Sequence, residues 1–209
     1  MRRIFTGRSI HALAFSPDGQ TLAYGGWGHV SLLDVDTEHD ARLQEIGKSI
    51  VVSLTFSRDG RQLGWSAHGS QSQVGIHSGR PFSACLPHPV PGASPAIAFL
   101  PDGKAVAAVQ STLRVGNGNK PWEPFVNETI SVQGGLAISA AGMLLATAQE
   151  EVDQPGESSI VLWDAWSWRE RAAFAWDAGY PRALAVAPDG LTLAAGGETG
   201  ELVIWDVDL

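Results

Sequence analysis

The sequence predicts an all-β protein built from five copies of one antiparallel unit. A turn-forming stretch, Ser16-Pro17-Asp18-Gly19, returns along the chain, and the closing glycines of successive copies are 41, 43, 39 and 48 residues apart. A period in this range is typical of repeat proteins. Large and small apolar residues alternate on both sides of each stretch, as expected of β-strands. The later copies are Ser57-Arg58-Asp59-Gly60, Leu100-Pro101-Asp102-Gly103, Ser139-Ala140-Ala141-Gly142 and Ala187-Pro188-Asp189-Gly190.

Each repeat contains four predicted strands, which we call a to d. Strand a precedes the turn and strand b follows it, as in Leu13-Ala14-Phe15 and Leu22-Ala23, so the two form a hairpin. Proline at the second turn position and glycine at the fourth suit a type I turn. The sequence predicts strand c at 30–34, 160–164 and 202–206, and a more polar strand d at segments such as 41–46 and 82–86. Each repeat is therefore predicted to be a four-stranded antiparallel meander.

The alternation of large and small residues predicts how the sheets pack. If the sheets stack face to face around an axis, a Leu or Phe of one sheet needs an Ala or Gly opposite it on the next. Burial of one such side chain contributes roughly 1.5–3 kcal/mol. Truncation is therefore expected to be most damaging at Phe15, Phe56 and Phe99.

Composition narrows the classes of function. The chain has 209 residues, 44% of them apolar, which allows one domain, residues 1–209, with an ample core. Its net charge of -8 disfavours nucleic acid and anionic membranes as partners. The single cysteine, Cys85, cannot form an internal disulfide, and no export signal or membrane span is apparent, so a cytoplasmic location is expected.

The third predicted strand carries a family resemblance. Ile160-Val161-Leu162-Trp163-Asp164 and Leu202-Val203-Ile204-Trp205-Asp206 follow their hairpins at matching distances. Together with the turn and the period, they make the chain resemble the WD-repeat β-propellers over essentially its whole length. The Gly-His pair of that family is absent from every connection between strand d and the next strand a.

The resemblance implies a β-propeller of five four-stranded antiparallel blades. The chain starts with a predicted strand d and stops after a strand c, so residues 2–7 are expected to complete the last blade and close the ring. A closed monomeric ring is expected ahead of a dimer, while an open arc and a ring shared between two chains stay open as alternatives.

Catalysis has little support in the sequence. Strand a of each repeat consists of Ala, Leu, Phe, Ile, Val, Ser and Thr, apart from His11 in the first and Arg182 at the start of the last. No nucleophile elbow, phosphate loop or zinc-binding helix motif is present. Each turn offers at most one carboxylate, which is too few for a calcium cage. We therefore expect no catalytic residue, no metal and no cofactor, and a structural role for the turns.

The remaining candidates lie on loops. In a meander, the connections d-to-a and b-to-c fall on one face, which we call the top face. An exposed Trp is a common interface anchor, and the connection at 149–157 is long and acidic. Solvated loops and scattered surface histidines are the plain alternative for the same residues. The predicted partner-binding residues are Trp27, His29, His68, Glu150, Glu151, Asp153 and Tyr180.

The leading hypothesis is a non-catalytic scaffold that binds a protein or peptide through the top face. A propeller that binds carbohydrate or another small ligand is the alternative, although equivalent loops differ between repeats. A propeller hydrolase or lyase is a third hypothesis, which would need two acids facing each other across a central pocket.

Overall fold

A computed structural model describes residues 3–70, 72–83, 85, 88–89, 96–109, 112–116, 122–124, 131–139, 144–150 and 157–207. These residues form β-strands and no helix, which confirms the all-β class. The chain divides into two compact units, Met1–Phe99 and Leu100–Leu209. The strands are β1 (Ile10–Phe15), β2 (Thr21–Asp34), β3 (Asp40–Phe56), β4 (Gln62–Gly69), β5 (Gln73–Ser78), β6 (His88–Pro89), β7 (Ala96–Phe99), β8 (Ala105–Val109), β9 (Thr112–Gly116), β10 (Glu123–Pro124), β11 (Ser131–Ile138), β12 (Leu144–Glu150), β13 (Ser158–Asp164), β14 (Glu170–Trp176), β15 (Pro181–Val186), β16 (Thr192–Gly197) and β17 (Leu202–Asp206).

The repeated Asp-Gly stretches form the predicted turns between strands a and b. In the first turn the amide of Gly19 donates to the carbonyl of Ser16 at 2.8 Å, and the same bond recurs in the second, third and fifth repeats. The Asp18 carboxylate accepts from the hydroxyl of Ser16 and from the amide of Gln20. The aspartates therefore stabilise the turns, as predicted. The turn of the fourth repeat, at residues 140–142, lies outside the described residues.

The first unit differs from the predicted separate blades because two of its strands are long. Its main sheet has six strands in the order β1-β2-β3-β4-β5-β6. β2 includes predicted strands b and c of the first repeat, and β3 joins strand d of that repeat to strand a of the second. β3 pairs with β2 through its first half and with β4 through its second half. The first two repeats therefore share one continuous sheet.

The strand predicted at 82–86 is not present in the described residues of that segment. The amide of Ser83 donates to the carbonyl of Ser78 at 3.0 Å, and His77 Nδ1 lies 2.7 Å from the carbonyl oxygen of Ser83. These bonds turn the chain back after β5. The next strand is the two-residue β6, which pairs with β5.

The second unit contains the sheet that follows the prediction most fully. β11, β12, β13 and β14 form a four-stranded antiparallel meander, which is the fourth repeat. Within it, Leu145 lies opposite Trp163, and Leu162 opposite Ala172. β8, β9 and β10 also pair in chain order.

The last sheet has three strands, β15, β16 and β17, rather than four. The described residues 3–9 form no strand, so the expected completion of this sheet by residues 2–7 is not seen. Phe5 is 99% exposed and Ile4 is also exposed. No apolar burial therefore holds this segment in an extended strand.

Large residues pack on small ones within each unit, as the alternation predicts. In the first unit, a Cβ on Gly25 would lie 2.7 Å from Val51. In the second, a Cβ on Gly135 would lie 2.9 Å from Leu184 Cγ. Only a very small residue fits opposite a large one at these positions.

The three phenylalanines differ in burial. Phe99 is buried, and Phe56 is half-buried against Phe82. Phe15 is 61% exposed, so the prediction that it belongs to the core is wrong. Phe15 and Leu13 lie on the face of β1 that no sheet of the first unit covers, because β1 uses its other face to pack on the second repeat.

Candidate functional site

The top face of the first unit is shaped by a bend in β2. The amide of Val35 donates to the carbonyl of Gln20 at 2.9 Å, which brings the two ends of β2 together. The strand folds back at Trp27 and Gly28, where its register with β3 shifts. Gly28 has a φ of +78°, and a Cβ there would lie 3.0 Å from the carbonyl oxygen of Gly47. Glycine at this position therefore allows the bend that presents Trp27.

Trp27 and His68, two of the predicted residues, lie on either side of Ile50. Trp27 on β2 is directly opposite Ile50 on β3, and Ile50 is directly opposite His68 on β4. Directly opposite residues of antiparallel strands project from the same face. The three residues thus form a line across three adjacent strands, which we call the Trp27 row.

The Trp27 row is open to solvent. Trp27 is 57% exposed, His68 is exposed, and Ile50 is half-buried between them. Lys48, two residues before Ile50, is also exposed. The row therefore offers an aromatic ring, an aliphatic side chain and an imidazole, and an exposed lysine lies two residues away on β3.

His29 does not belong to this surface, and its prediction as a partner-binding residue is wrong. It is 1% exposed, and its Nδ1 lies 3.0 Å from the carbonyl oxygen of Trp27. Its ring meets the ring of Tyr24 edge-on, with 6.0 Å between centroids. The strand returns inward directly after the bend, so His29 supports the bend from inside while Trp27 remains outside.

Tyr180, in the second unit, lies in a small polar cluster. It is 38% exposed, and the Arg182 guanidinium lies 5.8 Å from the centre of its ring. Arg182 also pairs with the Glu198 carboxylate at 2.8 Å, and Glu198 accepts from the amide of Tyr180. Sequence analysis did not predict Glu198, because a single surface glutamate carries no signal until the hairpin places it beside Tyr180.

The acidic connection at 149–157 is described only at its ends. Glu150 is half-buried at the end of β12, opposite Ser158. Gln149 donates to the hydroxyl of Thr147 at 2.8 Å, so it faces the sheet. Glu151 and Asp153 lie outside the described residues.

The aromatic residues around strand d of the fourth repeat divide between core and surface. Trp176 is buried and packs against Trp205, with 6.1 Å between ring centroids. Trp166 is 68% exposed. The surface of the second unit therefore also carries an exposed tryptophan, in the turn between β13 and β14.

A cysteine and a histidine meet below the sheet surface of the first unit. Cys85 Sγ lies 3.6 Å from His77 Nε2, and His77 Nδ1 bonds to the carbonyl of Ser83. Burial lowers the pKa of His77 and raises the pKa of Cys85, so both groups are neutral near pH 7. A nucleophilic cysteine is a thiolate, and this environment favours the thiol. The pair is therefore suited to packing rather than to attack on a substrate.

Neither a cluster of metal-ligating side chains nor a membrane-spanning helix is found in the part of the chain that the structure describes. Among these residues, no group of three or more His, Cys, Asp or Glu side chains is arranged to hold a metal ion. The described residues also contain no helix of the length and hydropathy needed to cross a bilayer.

Comparison with known proteins agrees with the repeats and with the fold. Residues 1–34 match the family model for the WD domain, G-beta repeat. The structure is similar to the β-propeller domain of Cps50 (Swd1) from Myceliophteria thermophila, with a TM-score of 0.67 and 13% identity, over 95% of this chain and 71% of that one. The start of the chain therefore matches the WD repeat, and the fold is similar to that of a β-propeller domain.

The chain is also similar to two proteins of which it covers only a part. The chain is 29% identical to Telomerase protein component 1 of Mus musculus, over 73% of this chain and 6% of that protein. It thus spans only a small part of this relative. It also resembles Kuenenia stuttgartiensis Hydrazine Synthase, with a TM-score of 0.69 and 18% identity, over 89% of this chain and 55% of that one. At this identity the likeness shows the fold alone.

Proposed function

We propose that this chain is a non-catalytic WD-repeat scaffold that binds a protein or peptide partner through the Trp27 row. The observation that carries the proposal is the alignment of Trp27, Ile50 and His68 across β2, β3 and β4. Backbone pairing holds all three positions, so little entropy is lost when a partner binds. Exposed tryptophans supply a large contact area and are common anchors of interfaces.

The dimensions of the row suit a short peptide. Neighbouring strands lie about 4.8 Å apart, so the row extends over about 10 Å. An extended peptide rises about 3.4 Å per residue, and about three residues therefore span the row. Exposed Lys48 lies two residues before Ile50 on β3. The expected ligand has an apolar side chain for Trp27 and Ile50, with a carboxylate near His68 and Lys48.

Several observations support a binding role over a catalytic one. WD-repeat propellers are typically scaffolds, and the family match at residues 1–34 covers strands a to c of the first repeat together with the bend that carries Trp27. The buried pair of His77 and Cys85 is neutral, as argued above. A net charge of -8 favours protein partners over nucleic acid and anionic membrane. We place the protein in the cytoplasm.

The proposal is tested by selection from a displayed peptide library on the immobilised protein. A selected peptide, labelled with a fluorophore, is then titrated with the wild type and with Trp27→Ala, His68→Ala and Trp166→Ala. Loss of the anchor is expected to weaken binding by about 2 kcal/mol, or roughly thirtyfold. His68→Ala is expected to weaken it less, because its imidazole buries less apolar area than the indole.

Trp166→Ala is the matched control, since Trp166 is an equally open tryptophan in the other unit. Its affinity for the peptide is expected to equal that of the wild type. If folded Trp27→Ala retains full affinity, or if no peptide is enriched, the proposed binding role of the row is wrong.

A further inference from the structure

An arginine of the third repeat occupies a position that is apolar in the fourth. Arg114 on β9 lies directly opposite Ala107 of β8, just as Leu162 on β13 lies opposite Ala146 of β12. Leu162 is fully buried in the core of the second unit, whereas Arg114 is half-buried. Removing a charge from water is costly unless the charge is paired. Packing alone therefore does not account for an arginine at this position.

The guanidinium of Arg114 is only partly satisfied by the residues that the structure describes. Its Nη1 donates to the carbonyl oxygen of Trp122 at 3.2 Å. Its Nε is shielded from solvent and has no hydrogen-bond partner. None of the ion pairs found in the described part of the chain includes Arg114. The edge of the guanidinium formed by Nε and Nη2 is thus left without an acceptor, and its charge is left without a carboxylate.

The residues that share a sheet face with Arg114 are small or aromatic. Ala107 lies opposite Arg114, and Ala105 lies opposite Gly116, which is two residues further along β9. All three of these small residues are buried. A Cβ on Gly116 would lie 2.8 Å from the Trp122 ring, so the indole covers this glycine. Because alternate residues of a strand share a face, Arg114 lies on the same side, in apolar surroundings. β11 of the fourth repeat packs beside β8 and β9.

We propose that Arg114 binds the carboxylate of a small organic acid. An arginine pairs with a carboxylate through two parallel hydrogen bonds, and Nε and Nη2 are the donors left for them. One carboxylate neutralises one guanidinium. A phosphate group carries up to two charges, and β8, β9 and β10 contain no other Lys or Arg to balance the second. The apolar neighbours Ala107 and Trp122 favour an acid with a short apolar body.

The first test is thermal unfolding of the full chain with sodium butyrate as the probe. Butyramide is the matched control, because it has nearly the same shape and no charge. Sodium chloride keeps the ionic strength constant. A ligand that binds only the folded protein stabilises it according to the ratio of its concentration to its Kd. Butyrate is therefore expected to raise the Tm until binding saturates, and butyramide is expected to leave the Tm unchanged. A wild type that butyrate does not stabilise would overturn the proposal.

Two arginine variants decide whether the effect of butyrate depends on this site. Arg114→Leu introduces the residue that the fourth repeat has at this position, and Arg169→Leu changes an exposed arginine of the same unit as the control. Circular dichroism checks that both are folded. The shift with butyrate is expected to be lost in Arg114→Leu and kept in Arg169→Leu, while inorganic phosphate is expected to act alike on all three proteins. Equal shifts of the wild type and Arg114→Leu with butyrate would mean that the anion acts on the protein in general, and the proposal would be wrong.

Direct binding is measured by saturation-transfer NMR on the butyrate signals. Arg114→Lys keeps the charge without the planar fork and is expected to bind butyrate about tenfold more weakly than the wild type. This variant keeps the proposal testable if Arg114→Leu does not fold. Undiminished binding by Arg114→Lys would contradict the two-bond contact. Trp27→Ala is expected to bind butyrate like the wild type, so the outcome here is independent of the outcome for the Trp27 row.

Discussion

The indole Nε1–H of Trp163 donates a hydrogen bond of 2.8 Å to the hydroxyl oxygen of Thr147. Trp163 belongs to the Trp-Asp pair of the fourth repeat, and Thr147 lies on the neighbouring strand β12 with no exposed surface. Gln149 donates to the same hydroxyl oxygen at 2.8 Å. One threonine thus satisfies two donors, in a repeat that lacks the Gly-His pair of the family.

We expect Thr147→Val to destabilise the protein by about 1–3 kcal/mol, because a buried indole N–H loses its acceptor while the shape of the side chain is kept. Thermal unfolding followed by circular dichroism measures the change. Trp163→Phe and the double variant complete a mutant cycle, in which the two effects are expected to be less than additive. Additive effects, or a Thr147→Val protein as stable as the wild type, would show that this bond contributes little.

Local patterns in the sequence predicted the all-β class and most of the strands. The Asp-Gly turns and the strands beside them depend on residues close together in the chain, and β17 begins and ends where strand c was predicted. The continuous β3 was not predicted, because nothing in residues 46–50 signals that one strand leads directly into the next. The turn after β5 was also missed, since it depends on bonds of Ser83 to Ser78 and His77.

The candidate site was only partly predictable for a similar reason. Exposed loop residues suggested Trp27 and His68, but Ile50, which joins them, lies within a strand and carries no loop signal. His29 was misplaced because its burial depends on where β2 bends, and a shift of one residue moves a side chain to the other face of a sheet. Tertiary pairing decides such positions, and local propensity does not.

Acid is expected to weaken the protein through the turn aspartates. The hydroxyl of Ser57 and the amide of Arg61 donate to Asp59 and lower its pKa below the ordinary value of 3.8. The charged form is favoured in the folded state, so this contribution to stability is full well above pH 3.8 and disappears as the pH falls through the lowered pKa.

The Asp59→Asn variant is therefore expected to be less stable than the wild type at pH 7, by about 0.5 kcal/mol because the group is exposed and screened. The difference is expected to shrink below pH 4. Ser57→Ala removes the main hydrogen-bond donor to Asp59. Its difference in stability from the wild type is likewise expected to shrink below pH 4. Urea unfolding between pH 3 and pH 7 measures both variants, and a difference that grows toward low pH would contradict the assignment.

Two glycines in strands provide a direct test of the close packing. A Cβ on Gly75 would lie 2.5 Å from the Trp65 ring, which is fully buried. We expect Gly75→Ala to destabilise the protein by about 1–3 kcal/mol, since the added methyl group must displace the indole. Gly196→Ala is the control, because the nearest heavy atom to a Cβ there is a carbonyl oxygen at 3.9 Å. The control is expected to be neutral or slightly stabilising in chemical unfolding, and equal losses at both sites would contradict this description of the packing.

The phenylalanines of strand a differ in burial, so truncating them is expected to lower the stability of the protein by different amounts. Phe99 is 8% exposed, and its ring would lie 3.1 Å from a Cβ on Gly64. Phe99→Ala is expected to cost about 3–5 kcal/mol, because it removes a packed ring and leaves a cavity. Phe15→Ala, at the equivalent position of the first repeat, is expected to change stability by only about 0.5 kcal/mol. The comparison is made by urea unfolding. A large loss at Phe15 would mean that its ring is covered in the folded protein, contrary to its 61% exposure.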